Sequence, residues 1–174
     1  MPFNLEMKYK VDSHNEYRRV LKNAGAEYKE LINQKDIYFK NKKALFKLRI
    51  QKNNNELIKY NRDESGKKRW SDYEILNITG KNPENYFTKL FDVTAVVEKK
   101  RELWIYNNTR IHLDKVKNLG YFLELETLVI NGKIDAEKRF NKIVTLLKIS
   151  IKDQILASYR DLILRKHDFY KRKY

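Results

Sequence analysis

Asn4-Leu5-Glu6-Met7-Lys8-Tyr9-Lys10-Val11 is the stretch on which the reading of this chain turns. It alternates polar and apolar residues, the period of a β-strand. Glu6, Lys8 and Lys10 fall on one face, and Leu5, Met7, Tyr9 and Val11 on the other. The same habit returns downstream. Lys47/Arg49 alternate within Leu45 to Lys52, and Lys99/Arg101 within Val93 to Tyr106. Arg110/His112/Asp114 do so within Thr109 to Val116, and Glu124/Glu126 within Tyr121 to Ile130. The opposite faces are mostly apolar. In an ordinary half-buried sheet the charged faces look at water. Here the chain also carries helices that need apolar surface to pack on. The apolar strand faces therefore turn outward to helices, and the charged faces line a closed barrel or deep tunnel.

Between these strands the punctuation is local. Asp12 or Ser13 is expected to cap a helix to about Ala24, with Tyr17, Val20, Leu21 and Ala24 at helical spacing. Gln34 to Phe39, Glu56 to Arg62 and Arg69 to Ile78 read as further strands. Asn82-Pro83-Glu84 reads as a helix start and the helix runs to Phe91. Asn107-Asn108 reads as a hairpin turn. Asp135 is expected to cap a helix through Lys148, and Lys152 to Phe169 reads as helical at least to Leu164.

The chain has 174 residues, 38 Lys+Arg against 23 Asp+Glu, a formal charge of +15 and no cysteine. That length reads as one domain, residues 1–174, with a basic-aromatic tail at about 166–174 expected to fray. Without cysteine there is no disulfide scaffold and no thiolate metal site. No apolar run is long enough to span a bilayer, so no membrane partner is expected. The start Met1-Pro2-Phe3-Asn4 lacks a signal-peptide pattern, so the expected location is the cytoplasm. The charge implies a polyanionic partner, although scattered lysines carry little information. The tail Lys166 to Tyr174 suits nucleic-acid contact in principle, but a solvated terminus is the simpler reading.

A tunnel lined by both signs narrows the chemistry. Arg and Lys suit a polyphosphate chain as charge-assisted donors. Carboxylates would repel that anion unless a hard cation lay between them, and Mg²⁺ or Mn²⁺ takes oxygen ligands from carboxylates and substrate phosphates together. Glu6, Glu124 and Glu126 are therefore candidate ligands, with Asp114 a further one. Asp114 stands equally well as the partner of an inward arginine.

Taken in order, these blocks resemble the CYTH superfamily, the triphosphate tunnel metalloenzymes. The start Asn4-Leu5-Glu6-Met7-Lys8 is similar to its Glu-x-Glu-x-Lys signature. Gln34 to Phe39, Leu45 to Arg49, Leu57 to Arg62 and Ser71 to Glu74 follow in family order. Val97 to Arg101, Arg110 to Asp114, Leu119 to Glu126 and Ser158 to Leu162 complete the series. The branch most resembled is the class IV adenylyl cyclases. The resemblance implies an α+β fold: a closed antiparallel barrel of about eight strands forming a triphosphate-binding tunnel, with helices packed outside. It also implies that ATP becomes cyclic AMP and pyrophosphate. The alternatives are a triphosphatase acting on tripolyphosphate, thiamine triphosphate or a nucleoside triphosphate, and a non-catalytic binder of nucleotides or triphosphorylated RNA. A homodimer is compatible with the cyclase branch. Asn4 departs from the signature and costs the site one charge.

The resemblance gives phosphate-gripping, catalytic roles to Lys8, Arg49, Lys99, Arg101 and Arg110, with Arg62 an additional contact. Lys47 shares the face of Arg49 and binds substrate with it. Glu98 lies on the other face of its strand and is a weaker ligand, and Lys59 is set aside for the same reason. His112 falls on the inward face, as a structural residue or a general acid/base. Asp36 and Tyr38 read as a polar network or mouth, and Trp70, Trp104 and the tyrosines of the last helix as packing.

Overall fold

The computed structural model describes residues 4–41, 45–62 and 69–171, with side chains placed except at 60–62, 69–73 and 167–171. The described residues form eight strands and four α-helices, an α+β arrangement. The strands are β1 (Asn4–Val11), β2 (Glu27–Phe39), β3 (Leu45–Ile50), β4 (Asn55–Arg62), β5 (Arg69–Asn77), β6 (Val93–Tyr106), β7 (Thr109–Val116) and β8 (Gly120–Leu128). The helices are α1 (Asn15–Asn23), α2 (Pro83–Leu90), α3 (Lys133–Leu146) and α4 (Tyr159–Lys171). All the strand pairings are antiparallel, in the order β1-β5-β4-β3-β2-β6-β7-β8. β1 pairs with β8 along its whole length, Asn4 opposite Leu128 through Val11 opposite Tyr121, and with β5 over the short run Asn4–Glu6.

Outward faces make two apolar layers. Leu5, Met7 and Tyr9 of β1 join Ile111 and Leu113 of β7 and Leu123 and Leu125 of β8, under Leu21 of α1 and Phe140, Ile143 and Val144 of α3. Burying one such side chain contributes about 1.5–3 kcal/mol. This layer therefore holds the pleat in a register that sends Glu6, Lys8, His112 and Glu124 inward. Arg18 of α1 clamps the Glu102 carboxylate of β6 from Nε (2.9 Å) and Nη2 (2.6 Å). A smaller layer sets Phe87 of α2 against Ile37, Phe39 and Leu48.

The fourth helix departs from the expectation that helices pack outside. Tyr159 and Ile163 of α4 pack with Tyr38, Ile58, Val97, Val116 and Phe122. Those strand residues are in phase with the inward charged positions Asp36, Lys99, Asp114 and Glu124, so α4 fills one end of the sheet's inner side. Its approach is fixed by Ile155 N–H donating to the Lys8 carbonyl at 2.7 Å.

Other local expectations shift. β2 begins at Glu27, seven residues before Gln34. Its first part is exposed on most positions and shows no clean alternation, yet it forms a long ladder with β6. Lys152 onward is not α-helical until Tyr159: a 3₁₀ turn at Ile151–Asp153 and an extended link come first, and the α-helix then runs to Lys171. The α1 cap position is His14, without a side-chain capping bond, so neither Asp12 nor Ser13 takes that role. Asp135 sits inside the first turn of α3, bonded to Arg139, while Gly132 with φ 88° is the cap. Asn82 does cap α2, its side chain accepting from Asn85 N–H. Asn107 and Asn108 take φ 46° and 55°, the double left-handed pair of a tight hairpin turn.

Candidate functional site

The inner faces enclose a cavity of about 560 Å³. Among the described residues, six cations line it, Lys8, Lys47, Arg49, Lys99, Arg101 and Arg110, with five carboxylates, Glu6, Asp36, Glu56, Glu124 and Glu126. An unpaired buried charge is costly, so such a lining persists only where each charge has an opposite within reach. The described side chains meet that condition in two networks.

The first spans β2 and β3. Asp36 accepts from Arg49 Nε and Nη2 (2.9 and 3.1 Å) and from Lys47 Nζ (2.7 Å). Register sets this up, since Asp36 pairs with Arg49 and Tyr38 with Lys47 across the ladder. Burial raises the Asp36 carboxyl, but Arg49 and Lys47 outweigh it and hold it far below the usual carboxylate range. Burial, with Arg49 beside it, brings the Lys47 ammonium down to about 7, although Asp36 opposes the shift.

The second network spans β6, β7, β8 and β1. Arg101 forks onto Asp114 from Nε (2.7 Å) and Nη2 (2.6 Å), and Nη2 also reaches Glu124 at 2.5 Å. Lys99 donates to Asp114 at 3.3 Å, and Lys8 faces Glu124 at 3.7 Å. Tyr159 of α4 donates its hydroxyl to Asp114 at 2.9 Å and lays its ring under both Lys8 (4.2 Å) and Lys99 (4.9 Å). Burial raises the Glu124 carboxyl, but Lys8, Arg101 and Lys99 together hold it well below its ordinary value. Asp114 is fully buried, lies outside the residues that line the cavity, and is engaged by Arg101, Lys99 and Tyr159, the arrangement of an inward arginine's partner.

The third region, along β7, β8 and the start of β1, is different. Arg110 Nη1 lies 3.7 Å from Glu126, and His112 Nδ1 lies 3.5 Å from the other oxygen of that carboxylate. Glu6 lies within hydrogen-bonding reach of Glu124. His112, Glu124 and Glu126 present donor atoms all within 4.8 Å of one another. Three buried polar atoms in the lining have no hydrogen-bond partner: Asn4 Oδ1, Gln34 Oε1 and His112 Nδ1. Adjacent carboxylates beside bare acceptors form a donor set that a divalent cation fits.

The structure thus brings Glu6, Lys8, Lys47, Arg49, Lys99, Arg101, Arg110, Glu124 and Glu126 to one cavity. Arg62 is on β4, opposite Ser71, and its side chain lies outside the described residues, as does that of Trp70. Glu98 points away and pairs with Lys117, and Lys59 with Glu74. Trp104 is buried in the outer apolar layer, as expected. Glu56, Gln34 and Tyr159 line the cavity and are not among the site residues read from the sequence. Glu56 follows by alternation from the inward choice of Arg62 over Lys59. Gln34 is in phase with Asp36. Tyr159 sits in a helix entering from outside the sheet, and strand periodicity carries no signal for it.

Comparison with known proteins follows the same lines. The CYTH domain family matches residues 3–159. The chain is 29% identical to a Methanocaldococcus jannaschii protein named "Putative adenylate cyclase", over 91% of this chain and 97% of that one. A Pyrococcus horikoshii structure superposes with a TM-score of 0.80 at 20% identity, covering 91% of this chain and 98% of the other. A Hippeastrum protein, named a "putative adenylyl cyclase" that reveals a dominant triphosphatase activity, superposes at 0.64 with 8% identity and 96% coverage of both chains. At those identities the two structures speak to fold alone.

Proposed function

This chain belongs to the CYTH domain family, and from that premise we propose that it is a metal-dependent enzyme acting on a triphosphate, with ATP cyclisation as its reaction. The observation that carries the proposal is the division of the cavity. Paired cations stand on the β2–β3 and β6 walls, and close carboxylates stand on β8 and β1. A triphosphate bridging the two sides would exchange the Asp36 and Asp114 carboxylates for phosphate oxygens at Arg49, Lys47, Arg101 and Lys99. The ring of strand pairings, with β1 bonded on both edges, supports a closed barrel whose interior is the binding tunnel.

Glu124 and Glu126, with Glu6 beside them, would hold the ion, Mg²⁺ or Mn²⁺. When bound, such an ion neutralises phosphate charge and acidifies an attacking hydroxyl. The chain's own residues do the rest. Lys8, Lys99 and Arg101 hold the phosphate chain in line, and Arg49 and Arg110 meet its ends. In cyclisation the ribose 3′-hydroxyl gives up its proton to solvent water and its oxygen forms a bond to the α-phosphorus. The bond from that phosphorus to the β-bridging oxygen breaks, and pyrophosphate leaves with the electron pair. The cations face the oxygens on which that charge collects. A second reading is hydrolysis of the terminal phosphate by water, supported by the activity named for the Hippeastrum fold neighbour. A nucleotide substrate suits the cytoplasm, and no helix among the described residues is long and apolar enough to cross a membrane.

Purified protein incubated with ATP and Mg²⁺ or Mn²⁺ tests the proposal by chromatography and mass of the products. Cyclic AMP with pyrophosphate supports cyclisation, ADP with phosphate supports hydrolysis, and unchanged ATP rejects turnover of ATP. Glu126→Gln is expected to lower turnover at least about a hundredfold with an unchanged circular-dichroism spectrum. Full activity in that variant would remove Glu126 from the ligand set.

A further inference from the structure

His112 is the cavity residue whose position the charge pairing leaves unexplained. It is 4% exposed, and its Nδ1 has no hydrogen-bond partner. A buried polar atom left bare is destabilising. The nearest acceptor, Glu126 Oε1, is 3.5 Å away, longer than a well-made N–H···O bond. Register places His112 directly opposite Glu124, whose carboxylate is drawn toward Arg101 and Lys8. The three donor atoms nevertheless lie within 4.8 Å of one another. Ligands on one octahedral ion with bonds of about 2.1 Å sit about 3 Å apart when adjacent and about 4.2 Å when opposite. A shared ion fits the 3.5 Å separation better than a direct contact does.

We propose that His112 Nδ1 is a ligand of the ion held by Glu124 and Glu126, and that this nitrogen biases the site toward Mn²⁺ over Mg²⁺. The inference rests on the reading of the cavity as an ion site, not on which reaction the ion serves. Mg²⁺ takes oxygen ligands almost exclusively, and an imidazole nitrogen favours first-row transition ions over it. The groups facing the ring are Arg101, Arg110, Asp114, Glu124 and Glu126. A neutral imidazole offers a nitrogen lone pair to an ion of this kind. No other neutral nitrogen donor of the lining stands in that group of close donors among the described residues.

The test is pulsed electron paramagnetic resonance of the full chain loaded with Mn²⁺ and no nucleotide. Directly bound imidazole gives a nitrogen modulation, which must change to the ¹⁵N pattern when histidine is ¹⁵N-labelled. It must vanish in His112→Leu while Mn²⁺ stays bound. By calorimetry, the Mn²⁺-over-Mg²⁺ preference should fall at least about tenfold in that variant, the low end of the cost of disturbing a metal site. Mn²⁺ bound without histidine coupling, or an unchanged preference, overturns the proposal and leaves the carboxylate site standing. Failure of the wild-type chain to bind Mn²⁺, with or without tripolyphosphate, overturns both. Should His112→Leu not fold, the labelled His167→Asn chain decides instead, because His14 bonds the Phe122 carbonyl and does not line this cavity.

Discussion

At the scale of single residues, the site is a set of charges whose partners are already chosen. Lys47 is the clearest case. Its ammonium sits near 7 from an ordinary 10.5, because burial and Arg49 outweigh Asp36. Between those two values the unfolded chain binds more protons than the native one, so this group's contribution raises stability as pH climbs through that window. Anion binding has the opposite sign, because a triphosphate favours the protonated amine. Tripolyphosphate binding at pH 8 should therefore take up a proton at Lys47 and weaken from pH 7 to 9. Calorimetry in buffers of different ionisation enthalpy reads the uptake, and Lys47→Met should remove that part of it. A pH dependence identical in Lys47→Met would place the titration elsewhere. Asn4 offers the converse experiment. Its Oδ1 is buried and bare where the resembled signature has a carboxylate, so Asn4→Glu should tighten Mn²⁺ binding. Weaker binding in Asn4→Glu would show the site has no room for another charge.

At the scale of elements, the decisive relation is between α4 and the β6–β7–β8 wall. Arg101 is the hub, serving Asp114 and Glu124 at once. Removing it takes the shortest cation contact from two buried carboxylates, leaving Lys99 and Tyr159 on Asp114 and Lys8 on Glu124, and Arg101→Met should cost about 3–5 kcal/mol by urea denaturation. A loss below about 1 kcal/mol would mean that the carboxylates reach solvent. Tyr159→Phe deletes one hydroxyl that donates to a charged group, which is worth about 1.5–3 kcal/mol, and leaves the ring beneath Lys8 and Lys99. The sequence carried the strand side of this relation in the alternation of Lys99/Arg101 and of Arg110/His112/Asp114. It carried nothing of the helix side, because a tyrosine at a helix start has no periodicity that says which face of a sheet it meets.

At the scale of the whole molecule, the +15 charge and the site separate. Among the described side chains, the six cations of the lining are matched by its five carboxylates together with buried Asp114. The excess therefore lies elsewhere, where salt screens it within about 10 Å at 0.1 M. Binding of a polyanion such as heparin should collapse in 0.5 M salt, whereas tripolyphosphate with Mn²⁺ should keep most of its affinity. Equal loss of both would place triphosphate binding on the outer surface. Saturation at a hundred times the dissociation constant should add about 2.7 kcal/mol of stability. A scanning melt would then rise by roughly 5–10 °C for a chain of this size.

Alternation by itself determined the inward residues of β1, β3, β6, β7 and β8, because one residue of slip would exchange every charged side chain for an apolar one. It also determined the hairpin at Asn107-Asn108 and the cap at Asn82, where local backbone geometry selects the residue. Only the tertiary structure decided how the charges share partners. It decided that Asp114 belongs to Arg101, that Tyr159 closes the network from another element, and that His112, Glu124 and Glu126 converge. The physical reason is that a strand's pattern fixes which face a side chain takes. Which opposite charge it meets depends on the register and curvature of strands far apart in the chain.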